Sequence, residues 1–328
     1  MQRAQYAERG PVPQASIAVI EFTLPPLTAA QVLIKVLAAP INPSDVLTLT
    51  GVYGMLPPLP AIGGNEGVGV VVECGSAVTT PAVGQTVLLP VGGGTWSTHM
   101  VADAAKLMPL PNGIDPLQLA MMTVNPPTAH LMLQEFVDLQ PGDWVIQNAA
   151  NSGVGEYLIQ LAKIRGLKTV NIVRRESAVA AVKAMGGDVV LVDGDSLGKR
   201  VAEATGGAKI RLGIDAVGGI ATDNLAGCLT DGGVLVNYGM MSRESCVVSP
   251  SSFVFRDITL RGFWLALWFR KATPPQQMAV FGELGKLIAT GKLKARVHAT
   301  YDLSQIKEAV AAAAAGERDG KILIVPKN

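Results

Sequence analysis

The feature that most restricts the fold is an alternation that begins at Asp143. "DWVIQN" (143–148) is an apolar run of strand length, and a turn of small residues leads from it into the amphipathic helical segment "VGEYLIQLAKIRG". The same beat continues through "KTVNIV" (168–173), "DVVLV" (188–192), "RLGIDAV" (211–217), "GVLVNYG" (233–239) and "ITLRGFW" (258–264), with helical segments such as "SAVAAVKAMGG" between them. Short strands that are apolar on both faces and separated by helical crossovers predict an α/β fold with a doubly wound parallel sheet.

The flanks follow different rules. Residues 1–118 hold short β-rich runs divided by Pro and Gly, among them "SIAVIEF", "QVLIKVLAAP", "GVGVVVECG" and "GQTVLLP". From about 119 a helical pattern runs through "LQLAMMTVNPPTAHLMLQEFV" and breaks at Asn125-Pro126-Pro127, where prolines end one helix and open another. After 270 come a helix, the strand "KARVHATY", the helix "LSQIKEAVAAAAAG" and a last strand, "KILIVP", that is expected to return to the N-terminal part. The chain therefore divides into a β-rich substrate domain, 1–118 completed by 270–328, and a dinucleotide-binding domain, 119–269. A length of 328 residues is enough for a core in each.

The first βα turn carries the chemistry. In a G-x-G-x-x-G fingerprint the glycines permit a tight turn, close approach of a pyrophosphate and close helix packing. Ala150, Ser152 and Gly155 hold those positions here, with Gly153 and Val154 between. Small side chains preserve the access, and the helix N-terminus offers unpaired N–H groups to phosphate. About 20 residues further on, an NAD site places an acid on the ribose hydroxyls. This chain has "NIVRRE", with Arg174 and Arg175 where that acid would stand, and guanidinium groups suit a 2′-phosphate. Glu176 follows at once and offers an acid in a shifted register. NADPH is the expected cofactor.

A net charge of +1 without basic runs argues against nucleic acid or an anionic membrane surface and for a small molecule. Apolar stretches such as "DITLRGFWLALWF" are interrupted by charge well short of the ~20 residues of a membrane span. Cys74, Cys228 and Cys246 are widely spaced and form no C-x-x-C pair, which fits a reducing compartment. "MQRAQYAERG" has no apolar core of a signal peptide, and a cytoplasmic location is expected. No metal is expected either: His99, His130 and His298 show no ligand spacing.

Tyr53 sits in "GVYGMLPPLP", between Gly51 and Gly54 and ahead of three prolines, so a stiff loop presents one phenol. In "GGNEGVG" (63–69) the turn is similar to the G-H-E stretch of zinc-dependent medium-chain dehydrogenases, but Asn65 replaces the histidine and leaves Glu66 as a structural carboxylate. Taken with "INPSDVLTLTGVYGMLPPLPAIGGNEG", "TVNPPTAHLML", "VIQNAANSGVG", "NYGMM" and "LRGFWLALW", the chain resembles the zinc-free medium-chain dehydrogenase/reductases, and within them the NADPH-dependent 2-enoyl thioester reductases of the mitochondrial type. The resemblance runs over nearly the whole chain.

It implies a Rossmann domain plus a GroES-like substrate domain, and dimerisation through the edge of the cofactor sheet. It assigns Tyr53 as proton donor and Asn125 to the side of the nicotinamide. Ser152, Gly153, Val154 and Gly155 match the pyrophosphate turn, and Arg174, Arg175 and Glu176 the adenosine-ribose end. Tyr238, Gly239, Met240 and Met241, with Phe263, Trp264 and Leu265, match two loops at the nicotinamide and active site, and Lys321 matches a cofactor-contacting lysine. The implied substrate is an acyl thioester of coenzyme A or acyl carrier protein.

Reduction of a 2-enoyl thioester adds hydride at Cβ and leaves an enolate that needs a proton at Cα. A phenol, with an ordinary pKa of about 10, stays protonated near neutrality and serves as that acid if it is held in reach. Two other readings stay open. A quinone reductase of the same fold needs no carbon acid, and a non-catalytic NADPH-binding protein needs no turnover.

Overall fold

The computed structural model describes residues 1–316 and 318–327; Glu317 and Asn328, within the C-terminal stretch assigned above to the substrate domain, lie outside them. The chain forms two compact units, Met1–Val124 with Gly285–Asn328, and Asn125–Leu284.

In Asn125–Leu284 the strands Trp144–Gln147, Lys168–Val173, Val189–Val192, Ile210–Asp215, Val234–Asn237 and Thr259–Gly262 form one six-stranded sheet. Every pairing in it is parallel. In chain order the strands lie third, second, first, fourth, fifth, sixth across the sheet, so the winding reverses between Trp144–Gln147 and Ile210–Asp215. Val170 and Ile172 point to one face, where they pack with Ile146, Leu197, Val201 and Leu225. Val173 points to the other, with Ile159, Val182 and Val190. The two clusters express the period of two along a strand and explain why the strands are apolar throughout.

The last strand stops at Gly262, earlier than the sequence indicated, and "LALWFRK" is the helix Leu265–Lys271. Trp268 lies within that helix.

In the other unit the strand Gln31–Pro40 is central. It pairs antiparallel with Val68–Cys74 and with His99–Asp103, and its end pairs with Lys321–Ile324 through Ile324↔Ala39 and Leu323↔Pro40. The C-terminal strand thus returns to the N-terminal sheet. Trp96, Ile17, Ile41, Leu49, Ile306 and Ile322 share one core. The strands Gln2–Tyr6, Ala61–Ile62, His99–Asp103 and Met108–Leu110 and the helix Pro43–Thr50 were not anticipated. Val46, Thr48 and Thr50 in this helix are β-branched residues, which favour strands. Its start nevertheless bears a helix signal: Pro43 is at the first helical position, and Asp45 Oδ2 accepts the Asn42 N–H at 2.7 Å. Among the described residues no helix is long and apolar enough to cross a membrane.

Candidate active site

The turn after Trp144–Gln147 is built from small side chains for a steric reason. Ser152 caps the helix Gly153–Ile164 by accepting the Gly155 N–H at 3.2 Å. A Cβ on Gly155 would stand 2.5 Å from the Ala150 carbonyl oxygen, which is backbone and has no room to yield. Gln147 Nε2 donates to the Gly155 carbonyl at 3.1 Å and to Asn171 Oδ1 at 2.8 Å, which ties the helix start to the sheet. The result is a helix N-terminus whose positive dipole end is lined by small residues, a geometry that fits a pyrophosphate.

Burial pushes the Tyr238 phenol up, and the Ser152 side chain beside it opposes the rise. Two of the sequence-predicted segments are thereby brought together. The loop Tyr238–Met241 lies on the end of Ile210–Asp215, with the Tyr238 N–H donating to the Asp215 carbonyl at 2.9 Å and the Met241 N–H to the Ala216 carbonyl at 3.2 Å. Gly239 is half-buried, and Met240 and Met241 are exposed. The Phe263 N–H donates to the Asn237 carbonyl at 2.9 Å, and its ring meets Phe136 edge-on at 6.1 Å. Trp264 carries the Arg270 guanidinium over its ring at 5.4 Å, and Leu265 is buried at the start of its helix. Asn125 is buried at the start of the helix Asn125–Met132. Arg174 and Glu176 are exposed and Arg175 half-buried, directly after Lys168–Val173.

Sequence reasoning passed over the residues that hold these loops. Asp215 is fully buried. Its Oδ1 accepts from Asn148 Nδ2 at 2.6 Å and from the N–H groups of Val217 and Gly218, and its Oδ2 accepts from Thr222 Oγ1 at 2.7 Å and Asn237 Nδ2 at 2.9 Å. The signal was present as a polar residue closing each of three apolar strands, Asn148, Asp215 and Asn237.

Tyr53 belongs to the other unit. The helix Pro43–Thr50 ends at Gly51 in the left-handed region, φ 81°, where glycine carries no Cβ penalty. The Gly51 N–H bonds the Thr48 carbonyl at 3.2 Å and the Val52 N–H the Leu47 carbonyl at 3.0 Å, the double bond of a Schellman cap. Six residues on, Arg9 Nη2 donates to the Pro57 carbonyl. The half-buried Tyr53 thus lies on a segment anchored at both ends.

The helix that leads to it begins in a buried polar cluster. Asn42 Nδ2 donates to Glu66 Oε1 at 2.7 Å, and Lys321 Nζ donates to Asn42 Oδ1. The N–H groups of Thr123 and Val124 donate to Glu66 Oε2 at 3.0 and 2.9 Å. Asn42, Asp45, Glu66 and Lys321 are all buried. Burial pushes Asp45 up to about 7, with Glu66 adding to the rise and Lys321 opposing it. Burial likewise raises Glu66 against the pull of Lys321.

Comparisons with known proteins agree with this architecture. An alcohol dehydrogenase GroES-like domain matches residues 28–112, and a zinc-binding dehydrogenase domain matches 153–280. The enoyl-[acyl-carrier-protein] reductase, mitochondrial, of Rattus norvegicus is 38% identical over 309 residues, 92% of this chain and 82% of its own. A candidate NADPH:quinone reductase from Bacillus thuringiensis superposes with a TM-score of 0.90 at 29% identity, covering 99% of both chains. Etr1p, solved in complex with NADP and crotonyl-CoA, superposes at 0.88 with 27% identity, again over 99% of both. The chain belongs to the medium-chain dehydrogenase/reductase family, on its enoyl thioester reductase branch.

One expectation is corrected by these findings. The rat relative and its human counterpart are named mitochondrial, so the cytoplasmic location inferred from the first ten residues is withdrawn. A folded catalytic domain keeps no physical record of its compartment, because targeting segments are separate and removable.

The matched zinc-binding dehydrogenase domain also raises the question of a metal. Asn65 stands beside Glu66, whose two carboxylate oxygens are taken by Asn42, Thr123 and Val124. Among the described residues no group of three or more His, Cys, Asp or Glu is gathered to hold an ion. These donors do not fit zinc.

The raised Asp45 pKa has a stability consequence. A carboxyl whose folded pKa lies above its unfolded value binds its proton more tightly when folded. Its contribution is fully present below about pH 4, the unfolded value. It is lost as pH rises through the folded value of about 7. The charged groups facing Asp45 are Glu66 and Lys321, and Tyr6 lies within electrostatic reach. Asp45→Asn, which cannot ionise, is expected to flatten the fall in Tm between pH 4 and 7 measured by thermal unfolding in a buffer series; an unchanged slope would show that Asp45 does not titrate there.

Proposed function

We propose that this protein catalyses the NADPH-dependent reduction of the C2–C3 double bond of trans-2-enoyl thioesters. The observation that carries the reading is Tyr53, a phenol on a segment anchored at Gly51 and Pro57 whose neighbours Val52, Met55, Leu56 and Leu59 are exposed apolar side chains. Such a loop presents a proton donor inside a surface suited to an acyl chain. Near-full-length similarity to a protein named enoyl reductase supports the same class.

On this reading the dinucleotide-binding domain, 119–269, holds NADPH. Ser152, Gly153, Val154 and Gly155 take the pyrophosphate, Arg174 and Arg175 the 2′-phosphate, and Glu176 the ribose side. Asn125, the loop Tyr238–Met241 and the stretch Phe263–Leu265 contact the nicotinamide end, and Lys321 completes the set while its ammonium binds Asn42. Bound NADPH supplies the hydride added at Cβ. The Tyr53 hydroxyl, from the substrate domain 1–118 completed by 270–328, delivers a proton to Cα as the enolate collapses. The substrate is a CoA or acyl carrier protein thioester.

Quinone reduction is the second reading, favoured by the structural likeness to a candidate quinone reductase. The two separate at Tyr53, since a quinone needs no positioned carbon acid. Tyr53→Phe keeps the ring and deletes the hydroxyl. Turnover of crotonyl-CoA with NADPH is expected to fall about 10²–10⁴-fold, the range for a lost general acid, with NADPH affinity unchanged. Wild-type turnover in that variant, with chemistry limiting, would return Tyr53 to a packing role.

Alanine at both Arg174 and Arg175 is expected to weaken NADPH far more than NADH, by about 1.5–3 kcal/mol for each charged hydrogen bond lost. Titration by cofactor fluorescence checks this, and equal losses for both cofactors would remove the arginines from the 2′-phosphate.

The assembly on this reading is a homodimer. The strand Thr259–Gly262 ends its sheet with one neighbour, leaving a row of backbone groups for a second copy. Just before it Val254 and Phe255 are 71% and 81% exposed. Val254→Lys with Phe255→Lys is expected to convert a dimer to a monomer in light scattering, and a wild-type monomer would end this reading.

A further inference from the structure

The cluster around Glu66 is a directed chain of hydrogen bonds. An ammonium only donates, so Lys321 claims the oxygen of Asn42. That turns the Asn42 NH₂ toward Glu66, where only an acceptor fits, and Oε1 supplies it at 2.7 Å. Oε2 then takes the Thr123 and Val124 N–H groups. Glu66 is 0% exposed, so each of these hydrogen bonds lies away from bulk solvent.

The two ends of the chain hold functional segments. Asn42 is the residue before the helix Pro43–Thr50, whose other end delivers Tyr53. Thr123 and Val124 lead directly into Asn125-Pro126-Pro127. An apolar side chain in place of Glu66 would leave the Asn42 NH₂ and two buried backbone N–H groups without an acceptor. What the carboxylate adds is a fixed direction for every donor it meets.

We propose that Glu66 is a positioning residue: through Asn42 and the helix Pro43–Thr50 it sets the place of the Tyr53 phenol, and through Thr123 and Val124 it sets the backbone entering Asn125. This rests on the reading of Tyr53 as proton donor. The geometry also specifies how to break and remake it. Glu66→Gln keeps size and still offers an oxygen to Thr123 and Val124, but it turns an NH₂ against the NH₂ of Asn42. Adding Asn42→Asp reverses the polarity: one aspartate oxygen accepts from Lys321, the other from the glutamine. The total charge is conserved.

The test measures the wild type, Glu66→Gln and the double variant in two ways: turnover of crotonyl-CoA with NADPH, and the ¹⁹F resonance of 3-fluorotyrosine incorporated only at position 53. Glu66→Gln is expected to lose about 10- to 100-fold in kcat, the cost of an ångström-scale misplacement, and to move the resonance. The double variant is expected to restore both. Unchanged kcat and resonance in Glu66→Gln would overturn the proposal, as would losses that the folded double variant does not recover. If Glu66→Gln does not fold, Asn42→Ala, which cuts the link to the helix, is expected to show the same two losses, and their absence overturns it equally. A wild-type protein that leaves crotonyl-CoA unreduced defeats the functional reading instead, and the fluorine resonance alone then decides whether Glu66 holds Tyr53.

Discussion

Five donors converge on the buried carboxylate of Asp215, and the cofactor half of the molecule is organised around that meeting. Taking a carboxylate out of water costs several kcal/mol, which only well-aligned donors offset. Here the donors come from the ends of three adjacent strands and from the helix Ile220–Ala226. The carboxylate stands beside the point where the winding of the sheet reverses, the place where doubly wound folds open to a ligand. Removing any one partner leaves a buried charge short of a bond. The loops that follow, Ser152–Gly155 and Tyr238–Met241, are therefore held from below as well as by their own contacts.

Glu66 does the corresponding work in the other unit with a different set of partners. Asp215 is satisfied by neutral amides and a hydroxyl, whereas Glu66 shares its cluster with Asp45 and one lysine. Two carboxyls and one ammonium leave an excess of negative charge in a dry interior. The rise of Asp45 to about 7 is the response, since a protonated carboxyl relieves both the burial and the repulsion from Glu66. The cluster consequently combines a fixed hydrogen-bond direction with a proton that leaves near neutrality.

Much of the cofactor half was legible because its strands are buried on both faces and its helices are amphipathic, so each element carries its own periodicity. All six strands were located, with the ends of the last three placed two residues too far; at the sixth, Phe263 continues the strand's hydrogen bonding to Asn237, and the apolar run beyond it coils into a helix. The β-rich half was less legible for the opposite reason. Gln2–Tyr6 buries only Ala4 and Tyr6, and the two-residue strand Ala61–Ile62 exists through its pairing with Gln5 and Tyr6. Neither has a pattern that stands apart from its partner. The candidate site divides in the same way. Ser152 and Gly155 announce themselves by size and spacing, but the tie from Ser152 to Tyr238 and the convergence on Asp215 are contacts between segments far apart in sequence. The link from Asn42 to Lys321 spans almost the entire chain.

The exchange of a histidine for Asn65 beside a retained Glu66 brings these threads together. A metal centre stabilises developing negative charge wherever it can reach, so the protein around it tolerates some looseness in proton donors. A phenol has no such reach. It must stand within about 3 Å of the carbon it protonates, and each residue left free to wander costs about 1–2 kcal/mol to fix at the moment of reaction. On the proposed reading of Tyr53 as proton donor, the segment from Gly51 to Pro57 answers that demand through the Schellman cap at one end and Arg9 at the other. An anchored segment is only as well placed as the helix that carries it, and that helix begins at Asn42, whose amide is held in one orientation by Lys321 and Glu66. The carboxylate beside Asn65 is thus tied by its hydrogen bonds to the start of the helix whose other end leads to Tyr53.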